Sequence, residues 1–125
     1  MIQPRSIVTV CDNSGAKIGR IFKVLGASKK RYARIGEMVV LSVQKAEPRN
    51  KLGTKKKAVL YGVVVRQKAP FRRKDGSYIR FDENAVVIVL KDKKEPIAGR
   101  VFGPIPREIG EVGYQKIISL APEVV

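Results

Sequence analysis

Lysine and arginine are the residues in this sequence whose number and spacing suggest chemistry. They gather in four stretches: Lys29, Lys30, Arg31 and Arg34; Arg49, Lys51, Lys55, Lys56 and Lys57; Arg66, Arg72, Arg73, Lys74 and Arg80; and the run Lys91 to Lys94. A guanidinium fork grips two phosphate oxygens at once and stacks on flat rings, while an ammonium acts as a point charge. The chemistry on offer is therefore polyanion binding. Lys and Arg number 26 against 11 acids, a formal charge of +15 and a pI near 10.3. A solvated surface accounts for any one of these lysines, but the imbalance exceeds what solubility asks and points the set towards nucleic acid. Arg72, Arg73 and Arg80 are the strongest candidates. Tyr32, Phe71, Tyr78 and Phe81 lie among the cations, where rings can stack on unpaired bases or pack into a core. Phe81, beside an apolar run, is expected in the core.

Other chemistries are poorly supplied. The chain has no histidine and a single cysteine, Cys11, so it lacks the commonest general base, the commonest metal ligand and any internal disulfide. Cys11 is expected to be a small buried thiol. Asp12, Asp75, Asp82 and Glu83 stand near turns, where aspartates bond their own backbone, and none is paired with a base. "KLGTKKK" at Lys51 to Lys57 has neither the spacing nor the context of a phosphate loop, and a basic loop of a nucleic-acid binder matches a nuclear import signal in composition. The expectation is no catalysis, no cofactor and no metal. No apolar run approaches the ~20 residues of a spanning helix, and "MIQPRSIVTV" lacks the apolar core of a signal peptide. No membrane role is expected, and the protein should stay in the reducing compartment where it is made.

The elements that must position these cations are mostly strands. With 125 residues, 44% of them apolar, the chain is expected to form one domain over residues 1–125. Strands are predicted over Ser6 to Cys11, Lys17 to Leu25, Glu37 to Glu47, Ala58 to Gln67 and Ala85 to Leu90, from β-branched or alternating runs bounded by turn residues. The valine-rich last two should be covered on both sides or closed into a barrel. Asp75-Gly76 can supply two positive φ angles, so Phe71 to Lys74 and Ser77 to Phe81 are predicted to form a cationic ribbon across a two-residue turn. Tyr114, Ile117, Ile118 and Ala121 follow a helical period stopped by Pro122, and Pro106 with Glu108 suits a shorter helix before it. The fold class is mainly β: a small five-stranded antiparallel barrel over 1–95, a projecting basic ribbon near 70–82, and short C-terminal helices over 104–122.

Five stretches carry a resemblance: "DNSGA" at Asp12 to Ala16, "KVLG" at Lys23 to Gly26, "RRKDGSYIRFDENA" at Arg72 to Ala85, "RVFGP" at Arg100 to Pro104 and "KIISLAPEV" at Lys116 to Val124. In this order they resemble the universal large-subunit ribosomal proteins of the L-fourteen family, bacterial or organellar, across essentially the whole chain. The resemblance implies a structural ribosomal component that binds large-subunit rRNA, touches neighbouring large-subunit proteins and bridges to small-subunit rRNA. It assigns the bridge to Lys45, Arg49 and Asn50, and to the segment from Ile97 to Arg100. It also implies docking of a ribosomal silencing factor at Arg100 and Lys116, although Gly99 stands where the family often has threonine. Ala58 follows "TKKK" where relatives usually carry fewer lysines. The ribosome would be that of a bacterial cytoplasm, or of an organellar matrix or stroma. The residues also allow a free single-strand-binding barrel, against which the 6% aromatic content counts.

Overall fold

The computed structural model describes residues 2–26, 30–47, 58–91 and 94–125. Five strands, β1 (Ile7–Val10), β2 (Ala16–Val24), β3 (Met38–Ala46), β4 (Val59–Arg66) and β7 (Ala85–Val89), close a barrel in the order β1-β2-β3-β4-β7. Between β4 and β7 lie β5 (Phe71–Arg72) and β6 (Tyr78–Ile79), and after β7 come β8 (Pro104–Ile105), α1 (Glu108–Val112), α2 (Gln115–Leu120) and β9 (Glu123–Val124). The fold is mainly β, as expected.

The barrel is not wholly antiparallel. Four neighbouring pairs run antiparallel, and β1 meets β7 in parallel through Thr9 opposite Ala85 and Val10 opposite Val86. An odd number of strands that alternate in direction leaves the first and last pointing the same way. One parallel seam is therefore required by closure.

Burial follows the pleat in β2, where Gly19 and Ile21 face inward while Arg20 and Phe22 are exposed. In β7 all five residues are buried, which explains its unbroken apolar composition. Leu41 fills the barrel centre between two glycines: a Cβ at Gly19 would lie 2.5 Å from its Cδ1 and one at Gly62 3.0 Å from its Cδ2. Ile109, Tyr114 and Ile117 join the same core, and Ile118 and Ala121 pack against it. The predicted helical stripe is thus the buried face, with Tyr114 just before the first turn of α2. The parallel pairing of β8 with β9 went unforeseen, since two-residue strands are too short to show a period.

Two buried polar groups hold the β1 end of the barrel. Asp12 accepts hydrogen bonds from the Ser14 amide and hydroxyl through Oδ1, at 3.1 and 2.5 Å, and from the Ile88 amide of β7 through Oδ2 at 2.9 Å. Cys11 is buried, its Sγ 3.4 Å from the Val86 carbonyl oxygen, and burial pushes its thiol up to about 12. Native protein at pH 8 should accordingly resist a thiol reagent that labels the urea-unfolded chain within minutes. Equal labelling rates in the two states would contradict the burial.

Candidate nucleic-acid interface

The basic ribbon is short and tightly turned. Phe71 pairs with Ile79 and Arg72 with Tyr78. The turn differs from the predicted two-residue type, because only Gly76 takes a positive φ, 89°. The Gly76 amide donates to the Arg73 carbonyl at 3.1 Å and the Arg73 amide to the Ser77 carbonyl at 2.8 Å. Lys74, Asp75 and Gly76 thus form a three-residue connection, a type I turn closed by a left-handed glycine. Asp75 Oδ1 accepts from the Ser77 hydroxyl and amide at 2.6 and 3.0 Å. Those two donors, the hydroxyl first, hold its carboxyl below the usual range, so the turn tip stays ionised.

Two grooves adjoin the ribbon. Arg34, Gln67, Phe71, Arg72 and Tyr78 line one of about 440 Å³; Pro70, Tyr78, Ile79 and Arg80 line another of about 450 Å³. Tyr78 belongs to both and is 69% exposed. Arg34 arrives from the turn before β3, so tertiary structure joins two cation clusters that the sequence keeps apart. Arg31, Arg34, Arg72, Arg80 and Tyr32 are all exposed. Phe71 and Phe81 pack against the core.

Several cations expected to face RNA are engaged within the fold. Arg66 is only 6% exposed; its Nη2 lies 3.1 Å from Glu83 Oε1, and its Nη1 donates to the Phe102 carbonyl at 3.2 Å. A buried guanidinium needs such partners, and the end of β4 turns this one inward. Arg73 faces away from Arg72, with Nε 3.0 Å from Glu108 Oε1 and Nη2 donating to Glu108 Oε2 at 3.4 Å and to the Val125 carbonyl at 2.6 Å. It clamps the ribbon to α1. Lys30 pairs with Glu37 at 2.5 Å, while exposed Lys74 lies 3.5 Å from Glu111. In the last cluster, Lys91 sits over the Tyr61 ring and Lys94 over that of Tyr114, with Nζ to ring-centre distances of 5.6 and 5.5 Å.

The Arg73 clamp is open to measurement. A double-mutant cycle of Arg73→Ala and Glu108→Ala should give a coupling of about 1–2 kcal/mol, since the pair is charged, hydrogen-bonded and mostly buried. Additive losses would show that the ribbon is held some other way.

The residues assigned to bridging and docking are dispersed. Lys45 is exposed at the end of β3, and Arg100 is exposed with its backbone amide donating to Asn13 Oδ1 at 3.1 Å. Ile97 packs on the core and its amide donates to the Ile88 carbonyl at 3.3 Å, so its side chain anchors the segment. Lys116 projects from α2 and pairs with Glu95 at 2.7 Å. Lys29, Arg49, Asn50, Lys51, Lys55, Lys56 and Lys57 lie outside the described residues.

Sequence reasoning overlooked Gln67. It follows Arg66 at the end of an apolar run, and that polar pair was the available signal. Gln67 is 2% exposed and forms part of the first groove.

The surface is thus a closed barrel bearing a cationic ribbon, two grooves beside it and an exposed aromatic ring. A sequence model of the family described as ribosomal protein L14p/L23e matches residues 1–125. With the whole length covered and the barrel in place, the chain belongs to the ribosomal protein L14p/L23e family, whose members are structural proteins of the large ribosomal subunit.

Proposed function

We propose that the protein binds large-subunit rRNA through Arg31, Arg34, Arg72, Lys74, Tyr78 and Arg80, with Lys29, Arg49, Lys51, Lys55, Lys56 and Lys57 adding contacts. The carrying observation is the division of labour among the arginines. Arg34, Arg72 and Arg80 are exposed around one ribbon, while Arg66 and Arg73 hold the structure beneath it. Cations on separate loops of a stiff scaffold suit the scattered phosphates of a folded RNA. Lys45, Arg49, Asn50 and Arg100, with Ile97 fixing the last segment, contribute a bridge to small-subunit rRNA. Arg100 and Lys116 form a docking point for a ribosomal silencing factor, and neighbouring large-subunit proteins complete the surroundings. The site is the ribosome of a bacterial cytoplasm, or of an organellar matrix or stroma.

Sedimentation of cell extract on a sucrose gradient, with and without ribonuclease, tests this reading. Co-migration with large subunits that disappears after RNA digestion is the expected result. A protein that stays at the top of both gradients would instead be a free single-strand binder, and would bind poly-U as tightly as folded rRNA at matched salt.

A further inference from the structure

Gln67, which lines the groove beside the ribbon, carries an unused acceptor. Its Nε2 donates to the Ala69 carbonyl at 3.0 Å, which fixes the orientation of the amide, because a carbonyl accepts only from the NH₂ side. Its Oε1 is buried and has no hydrogen-bond partner among the described residues. A lone buried acceptor costs free energy unless something supplies a donor. The groove around it is rimmed by Arg34 and Arg72 and walled by Tyr78 and Phe71, and no carboxylate lines it among the described residues.

We propose that this groove is a pocket for one unpaired RNA nucleotide: the base stacks on Tyr78 and turns an amino edge to Gln67 Oε1, and Arg34 and Arg72 hold the flanking phosphates. The inference rests on the RNA-binding reading above and adds a mode of recognition to it. A cationic rim selects an anionic ligand. The floor then selects within that class, because phosphate oxygens are acceptors and gain nothing from Oε1. Adenine, cytosine and guanine carry exocyclic amino donors. The single ring donor of uracil lies between two carbonyl acceptors that face the same oxygen unfavourably. The volume of about 440 Å³ is in the range that holds small ligands. Oε1 lies beneath the groove surface, so seating the base requires a small rotation of Gln67 or of the rim.

The test measures binding of the full chain to fluorescent RNA hairpins, at one salt concentration, with a single bulged adenine, purine, cytosine or uracil, or with no bulge. Purine is adenine without its amino group, so this pair deletes the donor while leaving the protein untouched. Bulged adenine should bind about three- to tenfold more tightly than bulged purine or uracil, the worth of one hydrogen bond. Tyr78→Ala should weaken the bulged adenine hairpin about tenfold and Tyr78→Phe should not, since stacking needs the ring and not the hydroxyl. Tyr78 is exposed enough for either change to leave the fold intact.

Equal affinity for adenine and purine bulges, or a silent Tyr78→Ala, would overturn the pocket. In that event Arg72→Ala and Arg80→Ala should still weaken every hairpin, and the ribbon would remain a phosphate-binding element. Arginine variants that change no affinity would remove the ribbon from RNA binding, and the pocket with it.

Discussion

Replacing Asp12 with alanine should lower folding stability by about 2–5 kcal/mol, a large share of the roughly 5–15 kcal/mol typical of a small domain. Asp12 is only 5% exposed, and its carboxylate receives the Ser14 and Ile88 amides together with the Ser14 hydroxyl. Alanine leaves two buried backbone donors without partners, at about 1–3 kcal/mol each. The hydroxyl rotates and recovers more easily. The Ile88 contact also ties the turn after β1 to β7, the two strands of the parallel seam. Urea denaturation reads the effect as a lower midpoint at unchanged slope. A loss below about 0.5 kcal/mol, the usual scale of surface changes, would mean that water or a shifted backbone satisfies these amides.

The same carboxyl gives the molecule a pH dependence of defined sign. Burial pushes Asp12 above its ordinary 3.8, outweighing the downward pull of the Ser14 and Ile88 hydrogen bonds. A group whose folded value is raised adds stability below its unfolded value and loses it as pH climbs through the folded one. The stability of the wild type relative to Asp12→Asn should therefore fall as pH rises from about 4, then level off.

Replacing Arg34, Arg72 and Arg80 together with alanine should reduce affinity for rRNA fragments about a hundredfold at low salt while leaving the unfolding midpoint near that of the wild type. Every phosphate that loses its arginine weakens binding and lowers the log–log salt slope by roughly 0.7–0.9. Among the described residues, none of these three side chains forms an ion pair, so their removal leaves no buried charge behind. Arg73→Ala makes the contrasting control. It should cost stability through stranded Glu108 while leaving the salt slope unchanged. A triple variant that keeps the full salt slope would place the phosphate-binding cations on other loops.

Composition and pattern were enough to find the barrel strands. Valine-rich runs over Val59–Arg66 and Ala85–Val89 have no stable home except a sheet covered on both faces, and Asp75-Gly76 marks a reversal wherever it falls between strand-like segments. Charge pointed to a polyanion as the partner class, and five motifs in order carried the family. The fate of each cation was not legible, because Arg72 and Arg73 are chemically identical neighbours. What separates them is Glu108, 35 residues further on, just as Arg66 is separated from the outward cations by the Phe102 carbonyl, 36 residues away. Partners so distant in sequence are chosen by how the chain closes. Closure also imposed the parallel seam, the pairing of β8 with β9, and the meeting of Arg34, Gln67 and Tyr78 in one groove. Local sequence thus determined which segments become strands and that the surface is cationic. Only the packed barrel decided which charges point outward, because burial and pairing depend on neighbours that no local pattern records.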